Sequence, residues 1–194
     1  YDTFAAYPGT AEAVVTNLLT GQAEYREVPR RDAHFLLLQA TCAMPVLFQP
    51  IRLDGGIPYL DGGCADAIPW KRALEVGCDR VVVVLTRERS YRKEPERMMP
   101  LFRRVYRKYP AFLEDLRTRA ERYNRCREEL FQLEREGRIL VIAPDDTRGF
   151  SRTERDRKKI LALWQDGFFA GLRAVGAVRD FWTGEAVPGE TETM

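Results

Sequence analysis

The sequence predicts an α/β fold. Two short runs without polar alternation, Val81-Val-Val-Val-Leu85 and Ile139-Leu-Val-Ile-Ala143, have the pattern of strands covered by helices on both faces. Between and after them, long charged stretches repeat apolar residues at helical spacing, which supplies the covering helices. The 194 residues are 45% hydrophobic. That is enough for one ordinary domain of about 100–200 residues with a real core.

The elements follow in order. Ala13-Val-Val-Thr-Asn-Leu-Leu19 is apolar, and Thr20-Gly21-Gln22 turns it into the alternating Ala23-Glu-Tyr-Arg-Glu-Val28. This is a hairpin, with Gly21 supplying the positive φ. Over 32–42 a helix is predicted from the spacing of Phe35, Leu38 and Cys42, with Pro45 as its stop. Ile51-Arg-Leu53, Asp54-Gly55-Gly56 and Ile57-Pro-Tyr-Leu60 form a second hairpin, in which Asp54 is a structural turn residue. Asp61-Gly62-Gly63 comes directly after it, then a helix from Pro69 to about Val76 that ends at Gly77.

Beyond the first valine strand, Met98, Phe102, Val105 and Tyr109 lie on one helical stripe. After Pro110, a second stripe holds Leu113, Leu116, Ala120, Tyr123 and Leu130. Two amphipathic helices packed as an insertion or lid are expected. Past the second strand, Ser151-x-x-Glu154 reads as a capping box. It opens a last helix whose Ile160, Trp164, Phe168 and Leu172 should dock on the sheet. From 181 to 194 a polar, loosely held tail is expected.

Composition narrows the function. The 31 Lys+Arg and 29 Asp+Glu nearly cancel, leaving +2, so a dedicated nucleic-acid binder is disfavoured. Cys42, Cys64, Cys78 and Cys126 form no C-x-x-C and no metal-ligand spacing. Reduced thiols in a cytoplasmic protein are the expectation, with no metal and no organic cofactor. The only histidine, His34, reads as a boundary residue rather than a catalyst. Cys42 and Cys64 read as small packing residues, since nothing basic in sequence beside them favours a thiolate.

Three segments carry the chemistry: Ala40-Thr-Cys-Ala-Met-Pro-Val-Leu-Phe48, Tyr59-Leu-Asp-Gly-Gly-Cys-Ala-Asp-Ala-Ile-Pro69, and Ala73 through the valine strand to Thr86. Together they resemble the second half of a patatin-like phospholipase, an acyl hydrolase family, from about Tyr1 to Arg87. The stretches Tyr91-Arg-Lys-Glu-Pro95 and Arg122-Tyr-Asn124 resemble the extra C-terminal helical region of a bacterial branch of that family. The resemblance implies a three-layer α/β/α fold of the FabD/lysophospholipase-like type, with a mainly parallel sheet. Its first strands and nucleophile elbow would lie upstream of this chain. The expected organisation is a catalytic-domain half over 1–88, a helical extension with one strand over 89–180, and the tail.

By this resemblance Asp61 is the catalytic carboxylate of a Ser-Asp dyad, taking the proton of an upstream serine. The residue types suit that task without the family: a proton acceptor should project from a rigid strand end, and Leu60 leads straight into Asp61. Gly62 and Gly63 then let the backbone turn sharply and approach a neighbouring segment where a Cβ would clash. Asp66 either caps the helix begun by Pro69 or supports the Asp61 loop.

The nucleophile is not in the chain. Its two serines, Ser90 and Ser151, stand in Arg89-Ser-Tyr91 and Phe150-Ser-Arg152, and neither is a G-x-S-x-G elbow. The glycine-rich oxyanion loop is also missing. Since the sequence begins at Tyr1, the C-terminal part of a longer enzyme is expected, inactive alone, whose substrate is an acyl ester or phospholipid. The basic stretch 87–108 is either a solvated helix face or a peripheral membrane contact, with Met98, Met99, Leu101 and Phe102 as its apolar part. The competing expectation is a non-catalytic interaction or membrane-surface module in which the Asp61 loop is only structural.

Overall fold

A computed structural model of the chain describes residues 5–31, 34–53, 55–151 and 154–184. Strands and helices are mixed, so the fold class is α/β. The chain divides into two compact units: Tyr1–Pro69 with Lys93–Cys126, and Trp70–Arg92 with Arg127–Met194. The units interleave along the sequence.

The first unit is built on a four-stranded sheet. Strand β1 (Glu12–Asn17) pairs antiparallel with β2 (Ala23–Glu27), and Gly21 adopts φ 69° in the turn between them. The second hairpin joins β3 (Ile51–Leu53) to β4 (Ile57–Asp61), and β4 also pairs antiparallel with β1. The strand order is β2-β1-β4-β3. Asp54, expected in the turn of this hairpin, lies outside the described residues.

Because successive strand residues point to opposite faces, Tyr59 and Leu60 enter two different cores. Tyr59 packs with Ala13, Val15, Leu37 and Ala40, the last two from helix α1 (Leu36–Thr41). Leu60 packs with Leu18, Cys64, Phe102, Tyr106, Phe112 and Leu116. Of these, Phe102 lies in helix α3 (Met99–Val105), Tyr106 directly follows it, and Phe112 lies at the start of α4 (Pro110–Arg135); α2 (Trp70–Glu75) belongs to the other unit. Both faces of β4 are therefore covered, which fixes the direction in which its last residue leaves the sheet. Helix α1 is shorter than the predicted 32–42, beginning after Phe35, whose φ of 51° is left-handed; residues 32–33 lie outside the described set.

In the second unit β5 (Val81–Val84) and β6 (Ile139–Ile142) pair in parallel, Val81 opposite Ile139. This is the only parallel pairing among the described strands, so the mainly parallel sheet is corrected. Tight hairpin turns impose antiparallel pairing on β1–β2 and β3–β4, and β1 and β4 also pair antiparallel. Nor is β5 covered on both faces, since Val84 is 70% exposed. Arg89 grips this unit, donating to both carboxylate oxygens of Glu134 at 2.6 and 2.7 Å and to the Val141 carbonyl at 3.0 Å.

Helix α5 (Arg157–Thr183) corrects two further expectations. Its N-cap is Asp156, whose carboxylate accepts from the Lys158 amide at 2.9 Å, not Ser151. Glu154 contributes differently from a capping-box residue, accepting from the amides of Arg155 and Asp156 at 2.9 and 3.0 Å. The expected apolar stripe does not dock: Ile160, Trp164, Phe168 and Leu172 are all exposed, Trp164 by 62%. Alanines face inward instead, with Ala170 buried and Ala174 and Ala177 half-buried. The helix runs to Thr183 and closes on Gly184 at φ 80°, so the expected tail starts later than 181; residues 185–194 lie outside the described set.

Candidate active site

Asp61 ends β4 opposite Val15 of β1, and its backbone is held on both sides. Its amide donates to the Ala43 carbonyl at 2.9 Å, and its carbonyl accepts from the Thr16 hydroxyl at 2.8 Å. Thr16 is fully buried, and its hydroxyl also accepts from the Ala65 amide at 3.2 Å, tying the two ends of the loop together. The chain then enters a short 3₁₀ turn, Gly62–Cys64. The Asp61 carboxylate caps it, Oδ1 accepting from the Gly63 amide at 2.7 Å.

Each residue of this turn has a spatial reason. Gly62 runs against β1, where a Cβ would fall 2.1 Å from the Val14 carbonyl oxygen. At Gly63 a Cβ would press on the Asp61 carboxylate itself, 3.1 Å from Oδ1. Cys64 points into the core at 2% exposure, and burial pushes its thiol up to about 12. It is therefore a protonated packing residue, not a nucleophile.

The outer side of the loop is held by α4. Arg119 Nε donates to the Gly63 carbonyl at 2.8 Å. Arg122 donates to the Cys64 carbonyl at 3.1 Å and to the Ala65 carbonyl at 3.4 Å. Arg122 Nη2 also lies 2.5 Å from Oδ1 of Asp115, whose side chain is 3% exposed. Burial drives the Asp115 carboxyl above its usual range, and the Arg122 charge opposes that rise.

Asp66 closes the turn. Its Oδ2 accepts from the Tyr25 hydroxyl of β2 at 2.7 Å, and its Oδ1 accepts from the Ile68 amide at 3.2 Å. The Ile68 contact is an Asx turn ahead of α2 rather than a cap inside it. Asp61, Gly62, Gly63 and Asp66 thus form one continuous structure with β1 and β2.

Other sequence candidates fall elsewhere. His34 is exposed before α1. Ser90 and Ser151 belong to the second unit and lie in loops. Phe102, expected on a membrane-facing stripe, is buried in the core with Tyr106, and Met99 packs against that cluster. Met98 and Leu101 remain exposed. Among the described residues no three His, Cys, Asp or Glu side chains gather as metal ligands, and no helix is long and apolar enough to cross a membrane.

Sequence reasoning missed Asp115, Arg119 and Thr16. Asp115, Arg119 and Arg122 stand at i, i+4 and i+7, one face of α4, beside the apolar stripe of Phe112, Leu116 and Ala120. A polar stripe flanking a buried one was the available signal. Thr16 had none, since a threonine in a strand is ordinary.

Comparison with known families divides the chain in two. Residues 109–183 match a family described as "Domain of unknown function (DUF6363)". No curated protein matches the chain. Residues 3–74, which hold the β1–β4 sheet and the whole Asp61 turn, match the family described as "Patatin-like phospholipase".

Proposed function

We propose that the chain supplies the aspartate half of a Ser-Asp dyad in a carboxylic ester hydrolase acting on phospholipid, lysophospholipid or related acyl esters. The observation that carries this reading is the Asp61 turn. A carboxylate stands at the end of a strand covered on both faces, within the patatin-matched segment, with its backbone fixed by Thr16 and Ala43. Asp61 accepts the proton of a serine contributed from outside these 194 residues. The serine oxygen attacks the ester carbonyl, the alcohol leaves with that proton, and an acyl-enzyme forms. Water, deprotonated by the same carboxylate, then releases the fatty acid. In this reading the complete domain is a three-layer α/β/α sandwich, and the isolated chain hydrolyses no ester.

The protein acts at the cytoplasmic face of a membrane, touching it through the basic stretch 87–108. Support comes from α3 and the residues flanking it, where Met98, Leu101 and Val105 are exposed beside exposed Arg103, Arg104 and Arg107. A fluorophosphonate probe on the protein carrying the upstream serine tests the dyad. Labelling that disappears in Asp61→Asn is expected, and unchanged labelling would remove Asp61 from the mechanism. A second reading, a non-catalytic interaction module, draws on the exposed aromatic face of α5. It gains if the isolated chain binds a partner or liposomes while no serine of the longer protein takes the probe.

A further inference from the structure

We infer that Arg119 and Arg122 are positioning residues for Asp61, so that the opening helix of the segment matched only to a domain of unknown function serves the reaction of the patatin-matched segment. The inference rests on the reading of Asp61 as the proton acceptor.

A Gly-Gly turn is a poor mount for a carboxylate, because glycine has the most backbone freedom of any residue. The Asp61 side chain is oriented by the Gly63 amide, so the carboxylate goes where the Gly63 peptide goes. Arg119 takes hold of Gly63 from its other end, at the carbonyl. Gly63 is thereby pinned between the carboxylate and a guanidinium. Arg122 fixes the next two carbonyls, and Asp115, buried one turn before Arg119 on the same helix, holds Arg122. Helix α4 is located in turn by Phe112 and Leu116, which pack against Cys64 and Leu60 of the loop and its strand. Guanidinium bonds to carbonyls are stronger than neutral ones, and three in succession leave the turn little freedom. Catalytic geometry is sensitive at this scale, since a misplacement of about 1 Å can cost 100-fold in rate.

The test uses the protein that carries both the upstream serine and this chain. Arg119→Met keeps the side-chain bulk and removes the donor, and Arg119 is only half-buried, so the variant should fold. A fall of about tenfold or more in kcat on a short ester is expected, with KM unchanged and a matching loss in fluorophosphonate labelling rate. Arg119→Lys should restore part of it through a single donor. Because Arg122→Gln alone would strand a buried Asp115, it is paired with Asp115→Asn, and the same kcat-selective loss is expected. Full kcat in both variants, or losses that only track the folded fraction, would overturn the inference. Asp61→Asn separates the two levels. If it abolishes labelling while Arg119→Met and the paired Asp115→Asn/Arg122→Gln variant both retain full kcat, positioning alone fails. If it leaves labelling intact, the reading of Asp61 fails and the inference with it.

Discussion

Gly62 passes against Val14 with no space for a side chain. A Cβ there would sit 2.1 Å from the Val14 carbonyl oxygen and 2.7 Å from the Val14 Cβ. Backbone of a central strand cannot yield as a flexible side chain does. Gly62→Ala should therefore destabilise the protein by about 3 kcal/mol or more, at the severe end for a single substitution. Gly63→Ala meets only the Asp61 carboxylate at 3.1 Å, and should cost about 1 kcal/mol while displacing that group. Urea midpoints of the two variants check the order. Equal losses would mean that the Val14 contact is not tight.

Sequence alone could not separate these two glycines, because the clash is made by a strand 48 residues earlier, Val14. What it did reveal was local. Both hairpins, the Gly21 turn and the helix ending at Gly77 follow from short-range backbone preferences, and all are present. Errors came where long-range covering decides. The valine run of β5 reads as doubly buried only if helices lie on both sides, and Val84 is open. Asp61 was legible through its glycines. The arginines that hold its loop were not, because donors to backbone carbonyls leave no pattern of residue types at the receiving end.

Cysteine reactivity should sort by burial. Cys64 is 2% exposed with its thiol raised to about 12, whereas Cys42 and Cys78 are exposed. Brief iodoacetamide treatment near pH 8 should modify Cys42 and Cys78 and leave Cys64 intact until urea is added. Peptide mass spectrometry reads each site. Cys64 reacting as fast as Cys42 would mean the Asp61 turn opens freely.

Glu88 makes a pH-dependent contribution to the second unit. The Thr147 hydroxyl donates to Glu88 Oε2, and the Thr147 amide does so at 3.2 Å. These bonds, the hydroxyl first, hold the Glu88 carboxyl below its usual range despite burial. A depressed folded pKa means stability that is present above the unfolded value, about 4.3, and is lost as pH falls through the folded one. Glu88→Gln should therefore be less stable than wild type at pH 7, with the gap closing as the pH falls below the unfolded value toward the lower folded one. A gap that is constant across urea melts at both ends would assign the effect to packing instead.

The two long helices should respond oppositely to loss of an aromatic side chain. In α4, Phe112 is fully buried and stacks edge-on with Tyr106, ring centroids 5.1 Å apart, in the core that also holds Leu60. Phe112→Ala should cost about 3–5 kcal/mol, through lost transfer energy and the cavity left behind. In α5, Trp164 is 62% exposed and its described ring contact is with Phe168, itself 51% exposed. Trp164→Gln removes no core contact and trades one fair helix former for a better one, so its change should stay within about 0.5 kcal/mol. The comparison also measures what covers α5. If Trp164→Gln in the longer protein costs several kcal/mol while the same change in the 194-residue chain costs nothing, that face is buried by residues outside this chain.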